Sequence, residues 1–423
     1  MLKKLAAALA AATMLVLAPA AQAGRTVAVG PLGSGQVGAD ATFAEGSTTS
    51  PDNTILVHLE GLIDRADATS YISGAMFSLT DEGRIEKALR RAGHRGVHLW
   101  LVYDKSLAIF NDWATLDPVA KSHLHISECI YGCLSATPGG PNNDPAASIQ
   151  HAKYFTFSRT QRYANGAFSP ATWVASANLD ANTGTDAWNN ALSIFGDSGL
   201  NAEMEKTLRD QANGAGGKWG ANFDYFTWPS PNPAGTESNG AFIASTSGTA
   251  GVWSPEQQTD LLGAQLDQLK APDEGGNADC RVVVLENYLE SIRSSVISRL
   301  HELVEGGCSM RIAVNYVDRT DEPDYIDMDG PAKDLLCNQT HGDLRVIAVR
   351  KMHNKAIAAY GTFVGTYRAT VWTGSHNVTQ NALRKNDELL FRADGAPALA
   401  DQFFNEYAVA YLNTARDVCT APS

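Results

Sequence analysis

Apolar residues recur three and four apart in NTILVHLEGLIDRA (from Asn53) and in QQTDLLGAQLDQLKA (from Gln257), and a Ser-Pro pair precedes each, Ser50-Pro51 and Ser254-Pro255. That spacing predicts an amphipathic helix in both places. Further along, IEKALRRAGHRGVHLWLVYD reads as a helix, a glycine stop and an apolar strand, and ISRLHELVEGGCSMRIAVNYVD repeats the order. Two more short segments recur: IQHAKYFTFS is matched by RKMHNKAIAAY, and WVASANL by WTGSHNV. Four landmarks thus return in the same order about 200 residues later, which is the mark of a duplicated unit. Each copy alternates strands with helices, so the fold class is α/β, built as two pseudo-symmetric α/β/α sandwich halves that meet at one site. WPSPNPAGTESNG, from Trp228 to Gly240, has the composition of a linker. The organisation expected is a leader over 1–23, a first half over 24–235 and a second over 236–423. The glycine-rich VGPLGSGQVGAD lacks the spacing of a nucleotide-binding loop and reads as a flexible lead-in.

Composition fits this plan: 423 residues, 44% apolar and 19% charged, are enough for two cores. Lys3 and Lys4 precede an apolar run that ends in Ala21-Gln22-Ala23, the pattern of a signal peptide cut before Gly24, so the protein is expected outside the cell. Six cysteines are an even set in an exported chain. Cys129 and Cys133 can close a small loop, which leaves three pairings for Cys280, Cys308, Cys337 and Cys419. His123 and His125 beside Cys129 and Cys133 offer a competing zinc reading that export disfavours. A net charge of −13 argues against a nucleic-acid coat protein but not against a small cationic cleft.

The repeated polar residues are a histidine, a lysine two later, and a Ser-x-Asn: His151, Lys153, Ser176 and Asn178, then His353, Lys355, Ser375 and Asn377. Pooled about a pseudo-twofold axis, two lysines with serine and asparagine side chains suit the oxygens of a phosphodiester, whose charge concentrates in the transition state. One histidine attacks phosphorus as neutral imidazole. The other gives a proton to the leaving oxygen, and no metal or cofactor is called for. An attacking imidazole needs an acceptor on its second nitrogen. Glu388, eleven residues after Asn377, is expected to serve His353; Asn189, eleven after Asn178, and Asp186 are the candidates for His151. His376, within GSHN, suits either a substrate contact or a structural hydrogen bond. Trp173 and Trp372 read as core anchors.

Two His-x-Lys motifs, each followed by Ser-x-Asn, resemble the phospholipase D superfamily, whose signature is HxKxxxxD with a GSxN-like segment and a later acidic residue. HNKAIAAY and WTGSHNVTQNALRKNDELLF are similar to it at His353, Lys355, Gly374, Ser375, Asn377 and Glu388; HAKYFTFS and WVASANL are similar at His151, Lys153, Ser176 and Asn178. Ser158 and Tyr360 stand where the signature has aspartate, Ala175 replaces a glycine, and Asn189 stands where an acid is expected. The resemblance implies a phosphodiesterase with His151 as nucleophile and His353 as general acid, whose substrate is a glycerophospholipid met at a membrane surface by a monomer. A secreted nuclease acting on DNA or RNA is the alternative, and a phosphate-binding protein without turnover the second.

Overall fold

The computed structural model describes residues 24–30, 32, 38–46, 51–79, 83–104, 118–129, 133, 149–180, 183–214, 241–245, 260–317, 325–384, 386–414 and 416–419. The expected leader and the linker 228–240 lie outside them, as does the 235/236 boundary.

Eight strands form the first sheet: β1 (Arg25–Ala28), β2 (Gly38–Ala44), β3 (Tyr71–Met76), β4 (His98–Asp104), β5 (Leu124–Cys129), β6 (Tyr154–Gln161), β7 (Phe168–Ala175) and β8 (Asn189–Phe195). Their order is β1-β2-β8-β7-β6-β3-β4-β5, with β3, β4 and β5 parallel and the rest antiparallel. The second sheet has ten: β9 (Ala241–Ser245), β10 (Leu269–Lys270), β11 (Arg281–Glu286), β12 (Ser309–Val317), β13 (Tyr325–Ile326), β14 (Asp343–Arg350), β15 (Lys355–Phe363), β16 (Thr366–Gly374), β17 (Leu389–Asp394) and β18 (Arg416–Asp417). Its path β14-β12-β11-β15-β16-β17-β9 repeats β5-β4-β3-β6-β7-β8-β2 strand for strand. The duplication read from the sequence is therefore a duplication of topology.

Why these segments form strands is plain in β11. Val282 and Val284 point to one face and Val283 and Leu285 to the other, and all four are buried, so the strand is apolar without a break. The same alternation divides the interior into three cores. Helices Thr54–Asp64 and Arg84–His94 cover the outer face of the first sheet, and Leu261–Leu266, Ser294–Glu305 and Gly330–Cys337 cover that of the second. Between the sheets, one continuous cluster joins both inner faces to helices Ser198–Gly214 and Pro397–Thr414. Phe43 and Phe403 meet there edge to face, with centroids 5.3 Å apart. Trp173 and Trp372 are buried against Phe155 and Phe363, as core anchors.

Two expectations change. The glycine-rich lead-in ends in strand: Gly38 to Ala44 pairs with both β1 and β8, because Ala39, Ala41 and Phe43 are apolar residues two apart that bury against the central cluster. The helix expected from Gln257 is described only over Leu261–Leu266, where the Asp260 side chain caps it. Cys129–Cys133, Cys280–Cys308 and Cys337–Cys419 are disulfides, which decides the pairing and takes both cysteines out of any zinc set. No helix among the described residues is long and apolar enough to cross a membrane.

Candidate active site

Both His-x-Lys motifs lie where a strand begins. Lys153 immediately precedes β6 and Lys355 opens β15, and each strand lies beside the carboxyl end of a parallel strand, β3 or β11. Clefts form at such ends, where chains diverge. The motifs are joined to each other by backbone. His151 N donates to Asp387 O and His353 N to Trp188 O, both at 2.9 Å; Asp387 N and Trp188 N return bonds to Ile149 O and Lys351 O. Each histidine is thus fixed by the residue that precedes the other half's orienting group.

That exchange decides the histidine partners. Glu388 receives a hydrogen bond from His151 Nδ1, 2.8 Å from Oε1, and His353 Nδ1 lies 2.9 Å from Asn189 Oδ1. The sequence-based expectation had Glu388 beside His353 and Asn189 beside His151; docking of the halves crosses the pairs. Asp186, the other candidate for His151, pairs instead with Lys351, which is partly exposed, at 3.5 Å.

The serines also differ from expectation. Ser176 and Ser375 are fully buried and turn away from the cleft: Ser176 Oγ donates to Asn189 Oδ1 at 3.0 Å and Ser375 Oγ to Glu388 Oε2 at 2.5 Å. Each accepts a backbone N–H from Asn190 or Leu389. They hold the groups that hold the histidines. Asn178 lines the cleft, while Asn377 is buried and its own carbonyl is gripped by Arg293. Lys153 and Lys355 bind the carbonyls of His151 and His353, at 2.6 and 2.8 Å. Ser158 accepts from Tyr71 N, and Tyr360 donates to Pro397 O and Asp401, so the two positions that depart from the signature carry structural bonds away from the cleft.

The cleft encloses about 490 Å³ between the sheets, lined by Phe77, Asn178, Asn287, Tyr288 and Asn315 besides the histidines. Phe77 stands edge-on to His151, centroids 5.3 Å apart, and Lys153 lies over its face. Burial dominates the electrostatics. It holds His151 at about 4 even against Glu388, and with Lys355 and Lys153 it drives His353 well below the usual imidazole value. Burial likewise lowers Lys153, and brings Lys355 to about 7 against the pull of Glu286 and Glu388. Burial alone would raise Glu388, but His151 and Lys153 outweigh it and keep its carboxyl at about 2. His151 is therefore a neutral imidazole with an ionised carboxylate behind it.

Two residues were invisible in the sequence. Glu286 pairs in register with Lys355 across β11 and β15 and is buried with Oε2 lacking a hydrogen-bond partner; burial pushes its carboxyl well up. Arg293, fully buried, forms a two-pronged ion pair with Asp260 and donates to Asn377 O and Thr379 O, clamping the loop that carries His376 and Asn377. His376 lies 3.4 Å from the same guanidinium, which makes it a structural contact.

No family model matches the sequence, and no curated protein sequence matches it. Among solved structures, phosphatidylserine synthase from Haemophilus influenzae superposes with a TM-score of 0.54 at 12% identity, over 90% of this chain and 87% of that one. Polyphosphate kinase from Porphyromonas gingivalis gives 0.49 at 12% identity over 84% of this chain and 47% of that one, so the chain spans about half its length. Nuc from Salmonella typhimurium, a phospholipase D family member, gives 0.28 at 19% identity over 42% of this chain and 96% of its own. The chain shares its fold with that phosphatidylserine synthase.

Proposed function

We propose that the protein is a secreted phosphodiesterase that needs no metal and cleaves glycerophospholipids, releasing the headgroup alcohol and leaving phosphatidate. The observation that carries this reading is the hydrogen bond between His151 and Glu388. A ring that attacks phosphorus acquires positive charge, and a buried carboxylate on its far nitrogen stabilises that charge where a neutral amide cannot. His151 is the nucleophile, and Glu388 orients it. His353, backed by the neutral Asn189, is the less basic ring and gives up a proton more readily, as an acid must. Burial and the two lysines keep this ring neutral, so the substrate's own anion, seated between Lys153 and Lys355, favours the proton that His353 then donates to the leaving oxygen. Water, deprotonated by His353, resolves the phosphatidyl-histidine; a competing alcohol gives headgroup exchange.

A lipid substrate is supported by the net charge of −13 and by Tyr288, an aromatic ring that lines the cleft and is more than a third exposed. The phosphatidylserine synthase that shares the fold is itself named for phospholipid chemistry. Export is supported by the N-terminal pattern and the three disulfides.

The test is purified protein with EDTA, offered phosphatidylcholine, phosphatidylethanolamine and plasmid DNA in parallel. Phosphatidate is expected from the lipids. His353→Ala is expected to accumulate phosphorus on His151, mapped by mass spectrometry. DNA cleavage alone makes the enzyme a nuclease; phosphate binding without cleavage makes it a binding protein; phosphorus on His353 reverses the roles.

A further inference from the structure

We propose that cleavage of the Ala23–Gly24 bond is a structural step: the amine it frees on Gly24 becomes an ammonium held by Asp52, and this ion pair braces the wall of the cleft. The proposal rests on the reading that the chain is exported and cut before Gly24. Water adds across the peptide bond, Ala23 leaves with the carboxylate, and the Gly24 amine takes up a proton, so a neutral N–H gives way to a cation.

Gly24 N already donates to Asp52 Oδ2 at 2.8 Å. The socket around it is tight. A β-carbon on residue 24 would lie 2.2 Å from Asp52 Oδ2 and 2.6 Å from Phe43 O, so glycine alone reaches the carboxylate. It is also short of positive charge. Arg25 is the cation that acts on both Glu45 and Glu406, and it meets Glu406 at 3.0 Å. The Glu406 side chain is completely enclosed, and its Oε1, like Glu45 Oε1, has no hydrogen-bond partner. Burial pushes Glu406 up to about 8 and raises Glu45, as befits three carboxylates facing one guanidinium.

Asp52 connects this socket to the chemistry. Its backbone N–H donates to Thr185 O at 2.7 Å, and the next residue, Asp186, lines the cleft and pairs with Lys351 two residues before His353. Its side chain also binds Glu45 N and Thr54 N, at 2.9 Å each, so it is rigidly placed to receive the terminus.

An ammonium paired with Asp52 has a folded-state pKa above the free-amine value of about 7.7–8.0. Its stabilisation is therefore complete below that value and lost as pH rises through the folded pKa. The experiment compares a chain beginning at Gly24 with one carrying an extra alanine ahead of it, each with Asp52 or Asp52→Asn. At pH 7 the Gly24 chain is expected to melt about 2–4 °C higher than the extended chain, with the gap closing by about pH 10. Asp52→Asn keeps an oxygen for Thr54 N and removes the charge, and the expected result is that it abolishes the difference between the two chains. Equal melting of the Gly24 and alanine-extended chains at pH 7 overturns the proposal. N-terminal sequencing of the exported protein tests the underlying reading: a start at Gly24 supports it, and any other start overturns both.

Discussion

Glu388 lies in the second half of the chain, and its carboxylate is bound to His151 in the first, 2.8 Å from Nδ1. Its counterpart Asn189 makes the reciprocal bond to His353 at 2.9 Å. Two sites with the same backbone thus differ in one charge, and in the proposed function that difference divides the two chemical steps.

Glu388→Gln keeps the shape and removes the charge behind the nucleophile. We expect kcat to fall by about 10²–10⁴-fold with KM little changed. Asn189→Ala removes one neutral hydrogen bond from the acid and is expected to cost about tenfold. Equal losses from the two would mean that the halves do not divide the work as the charges suggest.

Lys355, lowered to about 7 by burial, loses its charge above neutrality. Binding of a short-chain phosphodiester, singly charged throughout, is expected to weaken as pH rises through about 7. Glu286 raises that value, so Glu286→Gln should move the alkaline limb to lower pH without altering the acid side, where His151 titrates at about 4. An unmoved limb on calorimetric titration would separate Glu286 from the site. The same titration followed by NMR should show His353 protonating at higher pH once the diester is bound.

Arg293→Met strands Asp260, whose side chain is 6% exposed, without its guanidinium. A loss of about 3–5 kcal/mol in denaturant unfolding is expected, and Arg293→Met with Asp260→Leu should recover much of it, since the cost comes from the unpaired charge. No recovery would assign the loss to the loop carbonyls of Asn377 and Thr379 instead.

The Cys337–Cys419 disulfide closes a loop across 82 residues and ties the C-terminal strand to β14 through a helix. Replacing both cysteines with alanine is expected to cost about 4 kcal/mol, read as a lower melting temperature with the active site's pH profile intact.

The duplication, the strand and helix order and the four motif residues of each half were legible because each is a local pattern: apolar runs in β4 and β12, three-four spacing in the outer helices, His-x-Lys at strand entries. The crossing of Glu388 and Asn189 was not. Those contacts span 237 and 164 residues and exist only after the sheets dock. Position eleven after the asparagine named the residues that meet the two imidazoles but said nothing of which half they would face. Ser176 and Ser375 were placed differently for a related reason: a short hydroxyl just past the end of a buried strand satisfies the nearest carboxylate or amide. Glu286 had no signal at all, since only strand register sets it opposite Lys355.

The reciprocal backbone bonds, His151 N to Asp387 O and His353 N to Trp188 O, carry one more consequence. Neither half owns a complete catalytic group, because each imidazole is aimed by its neighbour's chain. In the proposed function, turnover therefore depends on quaternary-like docking inside one polypeptide. Loosening the Phe43–Phe403 contact, in the core between the sheets, should silence nucleophile and acid together and leave no half-competent intermediate for selection to act upon.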